Sequence, residues 1–328
     1  MKKILGLVLV FLFLVSSVSI AAEKKVEPVS VSDSAGFLTK LDVNGYLRIR
    51  YSAYQANTSP DTLNLSRARI RVTGNVAPDF SFLVQPDFAG LSSGGTVALA
   101  DAYGQYKCPV TGIVVRAGQF LLPFAYDSGK YKTIYGTGLN PSHYGVIMPA
   151  RDYGLRAMGA VPNLAGLNYD AAIVNGTGAT DTNKTKDLVG RVNYKNNFID
   201  IGLSGYYGKA GSAEAQKRDL AVDLEYKSGP FTTVAEYMLG QNTAATAKLQ
   251  EASLQVSGLF GGAHEPLIRY ENYDPNTAIG GNIVNTVTLG YTYSMNKNTK
   301  FIVNYNLVAE ETTPTNNDTL MFELQTQI

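Results

Sequence analysis

The sequence predicts an all-β fold: a transmembrane, antiparallel, up-and-down β-barrel of about 16 strands, with a long third external loop folded into the lumen. Three observations carry that expectation. From Asp42 onward, apolar and polar residues alternate with period two, which sends one set to each face of a strand. The joins between these segments alternate between tight turns and longer Gly/Asn/Thr-rich loops, the asymmetry of a barrel with a short-turn rim and a long-loop rim. The chain opens on a basic-then-apolar leader, but no later apolar run approaches the ~20 residues of a spanning helix.

Composition agrees with this reading. The 328 residues include 28 Lys+Arg, 27 Asp+Glu, 32 Gly and 21 Tyr, and mean hydropathy is -0.05. Few charges at average hydropathy fit strands with one apolar and one polar face. A formal net charge of +1 argues against a nucleic-acid partner. Cys108 is the single cysteine, which excludes an internal disulfide and any CxxC metal or redox site. His143 and His264 lie far apart, so no metal site and no cofactor is expected.

Residues 1–22 have the form of a signal peptide. Lys2 and Lys3 are its basic start, Ile4 to Val15 is apolar except for Gly6, and Ala21 and Ala22 offer small residues for cleavage. Residues 23–40 are polar without period and read as a short periplasmic lead-in, which leaves 41–328 for the barrel.

The strands are expected at about 42–54, 66–76, 80–88, 96–107, 113–121, 153–161, 167–175, 187–195, 198–208, 218–227, 231–240, 249–258, 265–273, 284–294, 299–308 and 318–328. In the first, Val43, Gly45, Leu47, Ile49 and Tyr51 face one way, and Asn44, Tyr46, Arg48 and Arg50 the other. In the second, Ala68, Ile70 and Val72 oppose Arg67, Arg69 and Arg71. Tight joins such as Ala77-Pro78-Asp79 and Ser228-Gly229-Pro230 hold residues that fix φ or tolerate positive φ. With no Trp, the interfacial girdles must come from Tyr and Phe, such as Tyr106, Tyr194, Tyr207, Tyr226, Tyr237 and Tyr291. The alternation from Leu320 to Ile328 runs to the final residue, as suits a strand that closes against the first.

Residues 121 to 152 form a join of about thirty residues. Long loops in compact proteins are usually functional, and Phe124, Tyr131, Tyr135, Tyr144, Ile147 and Met148 give this one apolar groups with which to pack against an inner wall. Lys130, Lys132, Arg151 and Asp152 are its candidate constriction residues.

Gly118-Gln119-Phe120, Pro123-Phe124 and Arg151-Asp152-Tyr153-Gly154, in that order, resemble the pattern of the phosphate-selective porin O and P family. Asp101-Ala102-Tyr103, Asn175-Gly176 and Arg269-Tyr270-Glu271 are similar to it as well. The resemblance runs from about residue 40 to the end of the chain. It implies a homotrimeric channel for small solutes in the outer membrane of a Gram-negative bacterium, surrounded by outer-membrane lipid and lipopolysaccharide. It also implies a third external loop lining the constriction, and phosphate selectivity resting on arginines and lysines in the pore.

Charge is unevenly spread. Residues 40–160 hold 12 basic and 7 acidic residues, and residues 161–328 hold 12 and 17. Strands follow chain order around a ring, so the expectation is two opposed walls. Arg48, Arg50, Arg67, Arg69, Arg71, Arg116 and Arg156 should line the positive one, because an arginine facing lipid costs ~2–4 kcal/mol at the midplane. Asp223, Glu225, Glu236 and Glu251 should point inward opposite them. The function this supports is passive diffusion of small anionic or polar solutes with moderate anion preference, phosphate among them. Two other classes compete: a barrel sheath or scaffold around a partner protein such as an electron-transfer component, and a barrel lipid hydrolase. The latter needs a base beside its nucleophile, and neither His143 nor His264 (expected in a tight join) has a GxSxG partner. The chain is therefore read as a non-enzyme.

Overall fold

The computed structural model describes residues 40–55, 60–126, 151–178, 181–210, 214–242 and 247–327. The expected signal peptide, the lead-in before Lys40, and Lys130 and Lys132 lie outside them.

Sixteen strands form one closed barrel. The first half comprises β1 (Lys40–Tyr54), β2 (Thr62–Ala77), β3 (Phe80–Asp87), β4 (Ala98–Lys107), β5 (Val114–Leu121), β6 (Arg151–Ala160), β7 (Leu167–Val174) and β8 (Asp187–Lys195). The second comprises β9 (Ile199–Ala210), β10 (Ala215–Ser228), β11 (Phe231–Asn242), β12 (Ala247–Gly258), β13 (His264–Asp274), β14 (Val284–Ser294), β15 (Thr299–Glu310) and β16 (Thr319–Gln327). Each strand is antiparallel to its chain neighbours, and β16 closes on β1 from Tyr46↔Gln327 to Tyr54↔Thr319. Closure leaves no edge strand among the described residues.

The expected strands are found in number and order, with ends that shift by up to four residues; two of the shifts concern named residues. β2 begins at Thr62 rather than near Ser66, because it continues past a bulge: Arg48 pairs with Arg67 and Ile49 with Leu65. Ser66 is the extra residue, and its hydroxyl donates to the Arg48 carbonyl at 3.2 Å. A bulge of this kind breaks the period-two signal. His264, expected in a tight join, opens β13; its Nδ1 lies 2.6 Å from the Tyr291 hydroxyl and its ring stacks on Tyr293.

The outer face is apolar. Val43, Ile49, Ile70, Leu155, Leu188, Leu203, Leu254, Ile268 and Leu289 all stand exposed on it. Burying a side chain of this size is worth ~1.5–3 kcal/mol, so such a belt is stable against hydrocarbon and not against water. Tyr106, Tyr194, Tyr226 and Tyr291 are exposed toward the short-turn end, and Tyr207 and Tyr237 toward the long-loop end.

The interior is filled unevenly. After β5 the chain turns inward, and Leu122, Phe124 and Ala125 pack with Phe120 on Val174, Val189, Tyr206, Met238, Leu249 and Tyr273 from β7–β13. Phe120 and Phe124 are fully buried there. Two hydrogen bonds fix the crossing: the Ala125 N–H donates to Ser204 Oγ at 2.9 Å, and the Tyr126 N–H to Glu236 Oε2 at 2.7 Å. Ala125 has φ 55, a left-handed conformation that costs a non-glycine residue roughly 1–2 kcal/mol and that this packing must offset. The start of the third external loop, Leu122–Tyr126, thus enters the lumen; Tyr131, Tyr135, Tyr144, Ile147 and Met148 lie outside the described residues.

Candidate functional site: the arginine-lined lumen

Among the described residues, the lumen's open space lies mainly on the β1–β6 side. Antiparallel pairing sets Arg48 beside Arg67, Tyr46 beside Arg69 and Asn44 beside Arg71. Paired residues share a face, so all three β2 arginines point inward. Farther round, Arg116 is registered between Gln105 and Arg156.

The closed ring supplies counter-charges to most of these guanidiniums. Arg50 donates two hydrogen bonds to Glu323 Oε2, at 2.9 and 2.8 Å, and Arg48 lies 3.8 Å from the same carboxylate. Arg69 and Arg67 share Asp87, at 2.8 and 3.7 Å. Arg156 donates to Asp170 at 2.7 Å, and Arg151 to Asp101 at 3.1 Å. Two arginines differ. Arg71 and Arg116 have no carboxylate within ion-pair distance among the described residues. Arg116 instead donates to Gln105 Oε1 at 3.2 and 2.8 Å and lies 3.8 Å from the Tyr103 ring centroid.

A cavity of about 740 Å³ opens in front of this wall. Arg69, Arg71, Arg116, Arg151, Arg156 and Arg191 line it, with Asp101 and Asp170 as its carboxylates. A sphere of that volume is about 11 Å across, under two Debye lengths at physiological salt (~8 Å each), so screening inside is incomplete. A second cavity of about 340 Å³ lies toward the short-turn end, lined by Lys40, Asp42, Thr73, Asn75 and Ser81. The two cavities share Arg71, Arg116, Leu83 and Tyr103. The arginines without carboxylates therefore stand where one space passes into the other.

The opposite wall differs from the sequence expectation. Asp223, Glu225, Glu236 and Glu251 point inward, but each is at most 5% exposed and none lines the cavity. β2 and β10 are eight strands apart in a ring of sixteen, so the loop segment seated on β9–β11 lies between the arginines and these acids. The Tyr126 hydroxyl donates to Glu225, its N–H to Glu236, and Arg191 to Asp223 at 2.8 Å. The transverse pairing of a bare positive and a bare negative wall is thus not found: the negative wall is covered.

Other expected site residues are placed as follows. Arg48, Arg50 and Arg67 face the lumen around Glu323 and Asp87, outside the lining of the larger cavity. Arg151 lines it, and Asp152 does not. Asp152 is fully buried and accepts the N–H groups of Tyr153 and Gly176, both at 2.7 Å, which ties β6 to the β7–β8 loop. Sequence reasoning overlooked Arg191, although Asp187, Val189 and Arg191 alternate on one face of β8. It also overlooked Glu323 as a partner, because only closure of the ring brings β16 beside β1.

No family model and no curated protein sequence matches the chain. Solved structures share its fold. The anion-selective porin from Comamonas acidovorans is 15% identical with a TM-score of 0.68, over 88% of this chain and 99% of that one. OmpF of Salmonella typhi, in complex with daunomycin, is 15% identical with a TM-score of 0.70, over 92% and 100%. The trimer form of OmpT, an outer membrane protein of Vibrio cholerae, is 12% identical with a TM-score of 0.63, over 88% and 99%.

Proposed function

We propose that this chain is a passive diffusion channel for small hydrophilic solutes, with moderate anion preference, in the outer membrane of a Gram-negative bacterium. The observation that carries the reading is the cavity's charge: six guanidiniums face two carboxylates, and the acidic wall lies covered behind Leu122–Tyr126. The apolar outer belt suits a bilayer, and the named selectivity of the Comamonas porin and the trimer form of the Vibrio protein are consistent with it. Homotrimeric assembly is part of the proposal.

The paired arginines set a standing positive potential, which raises the local concentration of anions and lowers that of cations. Arg71 and Arg116 add contacts that a passing anion can make without displacing a carboxylate. Conduction requires binding favourable enough to enter and weak enough to leave, and two successive spaces sharing one pair of cations meet that need. Arginine grips carboxylate and phosphate alike through parallel donors, so inorganic phosphate is one permeant anion of this channel, as the family resemblance implies.

A barrel sheath fits less well, since Leu122–Tyr126 of the chain's own loop already pack inside the barrel against residues of β7–β13. The direct test is reconstitution into a planar bilayer under a salt gradient. Stepwise conductance with a reversal potential of the anion-selective sign is expected; an inserted protein that does not conduct would overturn the proposal.

A further inference from the structure

The ladder between β10 and β11 stops early. It runs from Ser228↔Phe231 to Leu220↔Leu239 and no farther. β10 nevertheless continues to Ala215 on its β9 side, and β11 to Asn242 on its β12 side. The strands part toward the long-loop rim, and side chains bridge the gap: the Arg218 N–H donates to Gln241 Oε1 at 3.1 Å, and the Gln241 N–H to Asp219 Oδ1 at 3.0 Å. The notch opens on the outer face as a groove of about 550 Å³.

Its chemistry is sharply divided. At the top stand Arg218 and Lys248, both exposed, with Gln241 and Gln250 beside them. Below, Leu220 and Leu239 form an exposed apolar floor that continues into Val222 and Tyr237. The cations elsewhere on this rim are mostly paired: Lys186 with Asp181 and Lys209 with Glu214. Arg218 and Lys248 have no carboxylate within ion-pair distance among the described residues. Arg218 holds only the Tyr207 ring, 5.5 Å from its centroid. Asp219 also borders the groove, but it lies on the inner face with Lys217 3.8 Å away and accepts the Gln241 N–H.

We infer that this notch binds the phosphate group of a phosphorylated membrane lipid, whose acyl chains descend over Leu220, Leu239, Val222 and Tyr237. The inference rests on the membrane location proposed above and is independent of the channel's selectivity. A guanidinium offers phosphate two parallel donors and an ammonium offers a point charge. An apolar face directly beneath two uncompensated cations matches a ligand with an anionic head and a hydrocarbon body.

The test uses the full chain, purified in mild detergent, and native mass spectrometry with three probes: bis-phosphorylated lipid A, its fully dephosphorylated form, and inorganic phosphate. One phosphorylated lipid per barrel should survive detergent exchange, and the dephosphorylated form should not. The double variant Arg218→Gln/Lys248→Gln should lower occupancy about ten-fold, as expected for losing charge-assisted contacts. Both side chains are exposed, and unchanged heat-modifiable mobility would report an intact barrel. Equal retention of the two lipid forms by the parent protein would overturn the site without any variant. Complete displacement of the lipid by millimolar inorganic phosphate would assign the notch to the free anion and likewise overturn it. Conductance of the same preparation reports separately on the channel.

Discussion

Arg50 and Glu323 face each other across the seam where the last strand meets the first, and the guanidinium places two hydrogen bonds on one carboxylate oxygen. Glu323 is fully buried and also lies 3.8 Å from Arg48. This carboxylate therefore has two duties: it holds the closure and cancels part of the positive field. Glu323→Gln should weaken the barrel by about 3 kcal/mol, because removing one partner of a buried pair leaves the other charge uncompensated. It should also increase anion preference. The temperature at which the folded form converts to the heat-denatured mobility reads the first effect, and the reversal potential reads the second. An unchanged transition temperature would contradict the closing role.

The inward loop depends on apolar packing more than on its polar anchors. Phe124→Ala removes a fully buried ring, a change that costs about 3–5 kcal/mol in a packed core. The segment from Leu122 to Tyr126 should then leave its seat on β9–β11, raising single-channel conductance and current noise. Tyr126→Phe removes only the hydroxyl that donates to Glu225, so its effect should be smaller. Equal conductance in both variants and the parent would mean that the segment does not limit flow.

Cys108 lies in the tight join between β4 and β5, on the short-turn rim. Hydrogen bonds from the Thr111 hydroxyl and from the N–H groups of Thr111 and Val110 hold its thiol below the ordinary range. A lowered thiol pKa enlarges the thiolate fraction near neutral pH, so alkylation should proceed at a lower pH than for a free cysteine. A maleimide on a polymer too large for the channel should label Cys108 only after the outer membrane is permeabilised. Labelling of intact cells would place the short-turn rim outside.

Much of the architecture was legible in the sequence because a barrel repeats a local rule. Alternation marked most of the sixteen strands, weakly at β3 and β4, and turn chemistry separated the two rims. What failed locally had local causes, as at Ser66, where one extra residue broke the period at the start of β2. The site was legible only by half. Parity alone put Arg67, Arg69 and Arg71 on one face, but the pairing of Arg67 and Arg69 with Asp87, and that of Arg50 with Glu323, depends on register and closure. The covered state of Glu225 and Glu236 depends on a loop that crosses from β5 to the far wall. Strand period carries no information about such partners.

Arg71 and Arg116 are central to the account, because they alone of the expected lumen arginines lack a carboxylate partner among the described residues and border both cavities. The decisive measurement is the reversal potential of Arg71→Gln/Arg116→Gln in a planar bilayer under a salt gradient, beside the parent protein. The account predicts a shift toward cation preference that shrinks as ionic strength rises, since screening then shortens the reach of the remaining charges. A double variant that inserts and conducts normally with the parent's reversal potential would contradict it.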